Sequence, residues 1–381
     1  MHLDDLLPCT LANVSAVQGK RVLVRVDLNL PVADGKITDT TRLDVIIPFI
    51  KELSIAGAKT ILLSHFGEKG ESIEPVAKLL SEKLLSCSFV PGTDIVELQK
   101  KIAVMAPGDV VLLENTRCFQ GETENTPSTA RDFASLGDIF INDAFSASHR
   151  EHASIVGIPN YLLSYFGPTC IQEIVSLSKA LQPEKPALFI IGGAKISTKL
   201  KLIKHYTDQG VHVFVGGAMA HNLFKEKGYE IGDSFYDPTY KDTSLLTNNP
   251  FVLLPTDVLL SNGKEVSAQE VSRGDTIVDC GKETLATLDD LIQKAKTVIV
   301  NGPLGLYEKG WLYGTEHMLT SVARQHLAHT YIGGGDTLTV ADKIHITKNI
   351  GYVSLGGGAM LDFLAEGTLP GIEAIITSHR G

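Results

Sequence analysis

Residues 187–220 read ALFIIGGAKISTKLKLIKHYTDQGVHVFVGGAMA. Two apolar runs, at 187–191 and 212–215, flank a stretch whose apolar residues recur at helical spacing. Neither run alternates polar with apolar residues, so as a strand each must be covered on both faces. Strand, helix and strand of this kind build a parallel sheet. Each run ends in a glycine pair, Gly192–Gly193 and Gly216–Gly217.

The same alternation runs along the whole chain. RVLVRVDLN (21–29), TILLSHF (60–66), DVVLLEN (109–115) and DIFINDAF (138–145) are strand candidates upstream. FVLLPTD (251–257), TVIVNGP (297–303), TYIGGGD (330–336) and GYVSLGGG (351–358) are candidates downstream. Helical spacing recurs at 41–57, 73–86 and 282–296. The stretch 167–186 is helical and ends rich in proline and charge, and the second strand series starts after it. The expectation is an α/β protein with two doubly wound parallel-sheet domains joined by a helical hinge. The domains are placed at 1–166 and 187–366, with the hinge region at 167–186.

A chain of 381 residues that is 44% hydrophobic has room for two or three domains. Its 34 basic and 44 acidic residues leave a formal charge of −10. That sign argues against general binding to nucleic acid or to anionic membranes. It leaves an anionic small molecule open, because a local basic cluster can override the global field. The five cysteines are scattered and form no C-x-x-C pair, which reads as reduced thiols in the cytoplasm. MHLDDLLPCT has neither the basic nor the apolar region of a secretory signal, and no apolar run reaches the ~20 residues of a membrane span.

The two halves carry different residues at their strand ends. In the second half, Gly192–Gly193, Gly216–Gly217, Gly333–Gly335 and Gly356–Gly358 all end strand candidates. Glycine lets backbone N–H groups approach a phosphate, and an adjoining helix N-terminus favours negative charge. Any one run is equally well a tight turn; several at strand ends point to phosphate. Neither G-x-G-x-x-G nor G-x-x-x-x-G-K-[ST] occurs, so both standard nucleotide fingerprints are absent. In the first half, Asp27 and Asn29, His65, Arg117 and Arg150 come after successive strands, and Arg42 starts a helix. Ends of parallel strands line a crevice together, so the cations predict an anion site. Arg42 paired to a helix acid and Arg117 as a helix cap are the plainer readings of those two residues. Arg25 and Asp143 read as a buried ion pair, and Trp311 as packing. Two lobes, one for each of two anions, suit phosphoryl transfer with water excluded by closure.

With these motifs in place, the sequence resembles the phosphoglycerate kinase family over nearly its whole length. RVLVRVDLNLPVADGKITDTTRL, LLENTRCF, INDAFSASHREHAS, GGAKISTKLKLI, VGGAMAHNLFKEKGYEIG, IVNGPLGLYEKG, IGGGDTLTVA and SLGGGAMLDFLAEGTLPGIEAI occur in that family's order. The resemblance implies reversible transfer between 1,3-bisphosphoglycerate with ADP and 3-phosphoglycerate with ATP, as in glycolysis, with Mg²⁺. It implies a C-terminal tail, about 367–381, that returns to the first domain. The expectation for the whole chain is a monomer in the cytoplasm without nucleic-acid or membrane partners. It places phosphoglycerate on Asp27, Asn29, Arg42, His65, Arg117 and Arg150. It places the nucleotide on Gly193, Lys195, Lys199, Gly217, Asn301, Pro303, Leu306, Glu308, Gly335, Asp336 and Thr337, with Asp336 on the metal. Arg42, Lys199, Gly357 and Gly358 are expected to hold the group in transfer. Asp336 as a helix N-cap is the plainer alternative, and both roles can coexist.

The chain departs from the family pattern at several positions. Glu68 stands where the family usually carries an arginine, and Lys69 replaces the proline after it. Val300 replaces a common tryptophan, and Leu355 and Met360 replace hydroxyl residues beside the last glycine run. Only Glu68 changes a charge near the expected ligand. At about 7 Å, reversing one unit charge costs roughly 1–5 kcal/mol of attraction, depending on the effective dielectric. Two other functions remain in view: a relative that keeps the nucleotide site but has weak or altered acceptor specificity, and a nicotinamide-dependent dehydrogenase. The missing G-x-G-x-x-G counts against the dehydrogenase.

Overall fold

A computed structural model describes residues 6–11, 14–68, 70–84, 86–239 and 244–380. The chain divides into two compact units. One comprises Met1–Val175 with Glu366–Gly381, the other Ser176–Ala365. The helix Pro168–Leu181 crosses the boundary between them.

The first unit is built on strands β1 (Arg21–Arg25), β2 (Val32–Ala33), β3 (Lys36–Ile37), β4 (Lys59–Leu63), β5 (Cys87–Val90), β6 (Val110–Leu113), β7 (Ile139–Asn142) and β8 (Ser164–Phe166). Six of them form one parallel sheet in the order β5-β6-β4-β1-β7-β8. Strands β1, β4, β6 and β7 are buried almost throughout, so both faces need helices. Val24, Leu62, Ile141 and Leu53 pack into one core layer. Leu23, Ile61, Leu113 and Phe140 pack into the layer on the other face. Strands β2 and β3 form a small ribbon around Asp34–Gly35, whose positive φ values of 51° and 71° fit a two-residue hairpin turn. The C-terminal helix Pro370–Ser378 belongs to this unit, and Gly371 donates its N–H to the Ser148 carbonyl.

The second unit has strands β9 (Ala187–Ile191), β10 (His212–Val215), β11 (Val252–Leu253), β12 (Asp257–Leu260), β13 (Glu265–Ser267), β14 (Ile277–Cys280), β15 (Thr297–Asn301), β16 (His329–Gly333) and β17 (Tyr352–Ser354). Its main sheet is parallel in the order β11-β10-β9-β15-β16-β17. A three-stranded antiparallel sheet, β13-β12-β14, is inserted in the chain between β11 and β15. The expected single strand at 251–257 is two strands instead. Pro255 lies between them and has no N–H for a ladder.

The helix Lys282–Lys294 receives its cap from a distant residue. The buried carboxylate of Asp257 accepts from Glu283 N at 3.1 Å, Thr284 N at 2.7 Å and Thr284 Oγ1 at 2.6 Å. Gly281, at the N-cap position, has no side chain to do this. Asp257→Ala is expected to destabilise the start of this helix by about 1–3 kcal/mol. Amide exchange at residues 283–287 should rise at least about fivefold; unchanged protection would contradict the capping role.

Candidate active site

In the first unit, the expected anion-binding residues gather at one end of the parallel sheet. Asp27, two residues past β1, accepts from Arg42 Nη1 at 3.0 Å and from Ser146 Oγ. The Arg42 guanidinium also donates to the Asn29 carbonyl at 3.1 Å. Asn29 Oδ1 takes the N–H of Gly67 at 2.9 Å, which ties the loop after β4 to the loop after β1. Arg117, in the 3₁₀ turn Thr116–Cys118, donates to the carbonyl of Gly67. Arg150 Nε lies 3.4 Å from His149 Nε2.

His65 is the point on which these cations converge. Burial, and then Arg25, Arg117, Arg150 and Arg42, push its pKa down to about 2. The ring is therefore neutral at working pH. Arg25 Nη2 lies 3.1 Å from His65 Nδ1, and a guanidinium can only donate. Nδ1 is thus the acceptor and Nε2 carries the proton. The expected Arg25–Asp143 ion pair does not form. Arg25 instead donates to Ser154 Oγ at 3.1 Å, to the Val26 carbonyl at 2.7 Å, and to His65. Asp143 accepts from Cys170 N at 3.0 Å, and burial pushes its pKa up to about 7. The counter-charge for Arg25 comes through Ser154, which donates its hydroxyl to the buried Glu122 at 2.5 Å. Asn115, not singled out in the sequence, holds the loop after β4 by donating to Phe66 O at 2.6 Å and Glu71 O at 2.8 Å. Its position two residues before Arg117 in LLENTRCF is the sequence signal for that role. Glu68 is exposed on this loop. Lys69, which follows it, lies outside the described residues.

The second unit gathers its site at the ends of β9, β15 and β16. Gly192 and Gly302 pack backbone against backbone, and a Cβ on Gly192 would overlap the Pro303 carbonyl oxygen. Lys199, in the turn after β9, donates to Gly192 O at 2.7 Å and Asn301 Oδ1 at 3.3 Å. Burial lowers its pKa to about 8, with Asp336 pulling the other way. Asn301 Nδ2 is buried and has no partner, which leaves a donor unused beside the lysine. Asp336 sits in the first turn of the helix Gly335–Lys343 and accepts from the Tyr307 hydroxyl at 2.5 Å. Thr337, next to it, takes the N–H of Gly302 at 2.7 Å. Gly193, Gly217, Pro303, Leu306, Glu308 and Asp336 line one cleft of about 120 Å³. Lys195 is exposed on the turn after β9. Gly357, with φ 55°, and Gly358 lead into the helix Gly358–Glu366. Tyr307, His221 and Asp279 belong to this site and had no signal beyond their place near glycine runs.

A family model for phosphoglycerate kinase matches residues 11–367. The chain belongs to the phosphoglycerate kinase family. It is 36% identical to the phosphoglycerate kinase of Methylorubrum populi, over 96% of this chain and 98% of that one. It is 38% identical to that of Thermosipho africanus, over 96% and 97%. The solved structure of phosphoglycerate kinase from Coxiella burnetii matches it with a TM-score of 0.84 and 35% identity, covering 98% of this chain and 99% of that one. The chain is accordingly a transferase, a kinase with the glycolytic function of phosphoglycerate kinases.

If Lys199 meets a phosphate, as the sequence leads one to expect, its ammonium must be charged, and its lowered pKa sets the range. Attraction is complete well below pH 8 and lost as pH rises through about 8. The value of kcat/KM for ATP, which reports the free enzyme, should fall with a pKa near 8. A profile flat to pH 10 would contradict a Lys199 that both contacts the nucleotide and has this lowered pKa.

Proposed function

We propose that the first unit binds 3-phosphoglycerate and the second binds ATP, and that Arg42 and Lys199 hold the phosphoryl group in flight. The observation that carries this is that Arg42, Arg117 and His65 are drawn to one end of the first sheet by the loops after its strands, in a chain of net charge −10. Asp27 and Glu122 offset Arg42 and Arg25, and Arg117 and Arg150 add further positive charge for an anion to meet. Asp27 and Asn29 orient Arg42. Arg117 and Arg150 supply fixed positive charge, and His65 offers its Nε2 proton as a neutral donor. Lys195, Lys199, Asn301 and the glycine turns form the phosphate end of the nucleotide site. Leu306 and Pro303 wall the adenosine, and Glu308 reaches the ribose.

The acceptor of the transfer is already an ionised oxygen, so no protein nucleophile is required. Catalysis is then positioning and electrostatic stabilisation. Arg42 presents a planar fork, Lys199 a mobile point charge, and Gly357 and Gly358 contribute backbone N–H donors. Transfer brings two anions into line, so a closing movement through residues 167–186 is part of the proposal.

Among the described residues, no group of three or more histidine, cysteine or acidic side chains is arranged to hold a metal. A single carboxylate, Asp336, near Lys199 and bonded to Tyr307, fits a Mg²⁺ that arrives on the nucleotide rather than one caged by protein. When bound, the ion neutralises developing charge between the phosphates. Among the described residues no helix is long and apolar enough to cross a membrane. We infer a cytoplasmic protein with no nucleic-acid partner, which the scattered cysteines and the negative charge support, and a monomer.

A coupled assay of ATP-dependent 3-phosphoglycerate phosphorylation tests the proposal directly; tight ADP binding without turnover would favour a relative with another acceptor. Arg42→Ala and Lys199→Ala are each expected to lower kcat at least about a hundredfold, the scale of one transition-state donor. Near-normal turnover in either would remove that residue from the mechanism. Glu68→Arg should lower KM for 3-phosphoglycerate with little change in KM for ATP. An unchanged or raised KM would contradict the charge argument.

A further inference from the structure

Glu122 lies five residues after Arg117, is 1% exposed, and acts on Arg25 more strongly than any other acid, ahead of Asp27. It grips one short segment at three points. Its carbonyl accepts from Ala153 N at 2.8 Å, and its side chain accepts from Ser154 N at 2.9 Å and from Ser154 Oγ at 2.5 Å. Residues 153 and 154 open the π-helix Ala153–Gly157, just downstream of Arg150. The backbone bond fixes the path of the chain there. The two bonds to the carboxylate also fix the rotamer of Ser154.

From Ser154 the hydrogen bonds run on to the anion site. A guanidinium can only donate, so Arg25 Nε gives its proton to Ser154 Oγ at 3.1 Å. The single hydroxyl proton of Ser154 then goes to Glu122. Arg25 Nη1 donates to the Val26 carbonyl at 2.7 Å, and Nη2 meets His65 Nδ1 at 3.1 Å. The planar fork is therefore held on three sides. With Ser154 and Val26 fixing two of them, the third has one direction left, toward His65. Without Ser154, the Val26 carbonyl alone would leave the guanidinium free to turn. Charge works in the same sense. Burial pulls Arg25 down and pushes Glu122 up, and their mutual attraction opposes both shifts. Asp27, the next acid, is already bonded to Arg42 at 3.0 Å. His152 Nδ1 lies 3.9 Å from Glu122 Oε1, but burial, then Arg25 and Arg150, hold its pKa down to about 4. It is neutral at working pH and does not replace Arg25 as the cation for this acid.

We propose that Glu122 and Ser154 are positioning residues for the acceptor: they hold Arg25 so that His65 keeps one tautomer and one ring orientation. Neither residue touches the ligand; both act through Arg25. This rests on the reading that the first unit binds 3-phosphoglycerate.

Calorimetric titration of the full chain with 3-phosphoglycerate, and separately with Mg²⁺-ADP, tests it alongside ¹⁵N-resolved spectra of the histidine rings. Glu122→Gln keeps the size and an acceptor oxygen but removes the charge; Ser154→Ala removes one oxygen and keeps the charge. Each should weaken 3-phosphoglycerate binding at least about tenfold, the scale of a hydrogen bond to a charged group, and leave Mg²⁺-ADP binding unchanged. The wild-type His65 should show a bare Nδ1 and a protonated Nε2, and both variants a mixture of tautomers. In a His65→Ala background Glu122→Gln should cost little more, since residues that act through one another are not additive. An equal further loss in that background, equal weakening of both ligands, or unchanged 3-phosphoglycerate binding in either variant would overturn the proposal. So would a wild-type His65 with its proton on Nδ1, a measurement that stands even where a variant does not fold. A wild type that binds Mg²⁺-ADP but not 3-phosphoglycerate would overturn the acceptor-site reading as well, so the two failures are distinct.

Discussion

Like charges can share one end of a sheet only if oxygen acceptors are built between them. In the first unit Arg42 is held by Asp27 and the Asn29 carbonyl, and Arg117 by the Gly67 carbonyl. Arg25 is wholly buried and reaches Glu122 through Ser154. Burial pulls Arg25 down to about 10 and also pushes Glu122 above the usual carboxylate range, so desolvation outweighs their attraction. An ion pair of this kind contributes little net stability. Its effect is geometric: it fixes His65 as a neutral ring with its free proton on Nε2. A chain of net charge −10 can thereby keep a compact positive field where an anion is needed.

The second unit meets its charge problem with backbone. Gly192 and Gly302 let two strand ends touch, and Lys199 spans the junction between Gly192 O and Asn301. The lysine is held by neutral acceptors rather than by a carboxylate in direct contact, which leaves its charge available to a phosphate. Asp336, one helix start away, raises its pKa without bonding to it. Tyr307 occupies one oxygen of that carboxylate and so restricts how it can turn.

The parallel sheets, with cations at the strand ends of one unit and glycines at those of the other, are legible in the sequence. Apolar strands buried on both faces leave a plain signal, and parallel strands with helical crossovers put all their C-terminal ends on one side. Strands β5 and β8 are not legible, because CSFV is a partly exposed edge strand and SYF is only three residues long. The antiparallel sheet β12–β14 is hidden by Pro255 and by turns inside an apolar run. Arg25 is visible as a buried charge, but its partner is not the expected one. The residue expected beside it, Asp143, turns to a helix N-terminus, while Ser154 and Glu122 come from distant segments. No local pattern could reveal that.

If each unit carries one anion, the two ligands must perturb different parts of the chain. Amide chemical-shift mapping of the whole chain, titrated separately with 3-phosphoglycerate and with Mg²⁺-ADP, tests this most directly. The expected result is that 3-phosphoglycerate moves the amides around Asn29, His65, Gly67, Arg117 and Arg150, and that ADP moves those around Gly193, Gly217, Asn301 and Gly335. Both ligands perturbing the same unit, or 3-phosphoglycerate leaving the first unit's amides unmoved, would contradict it.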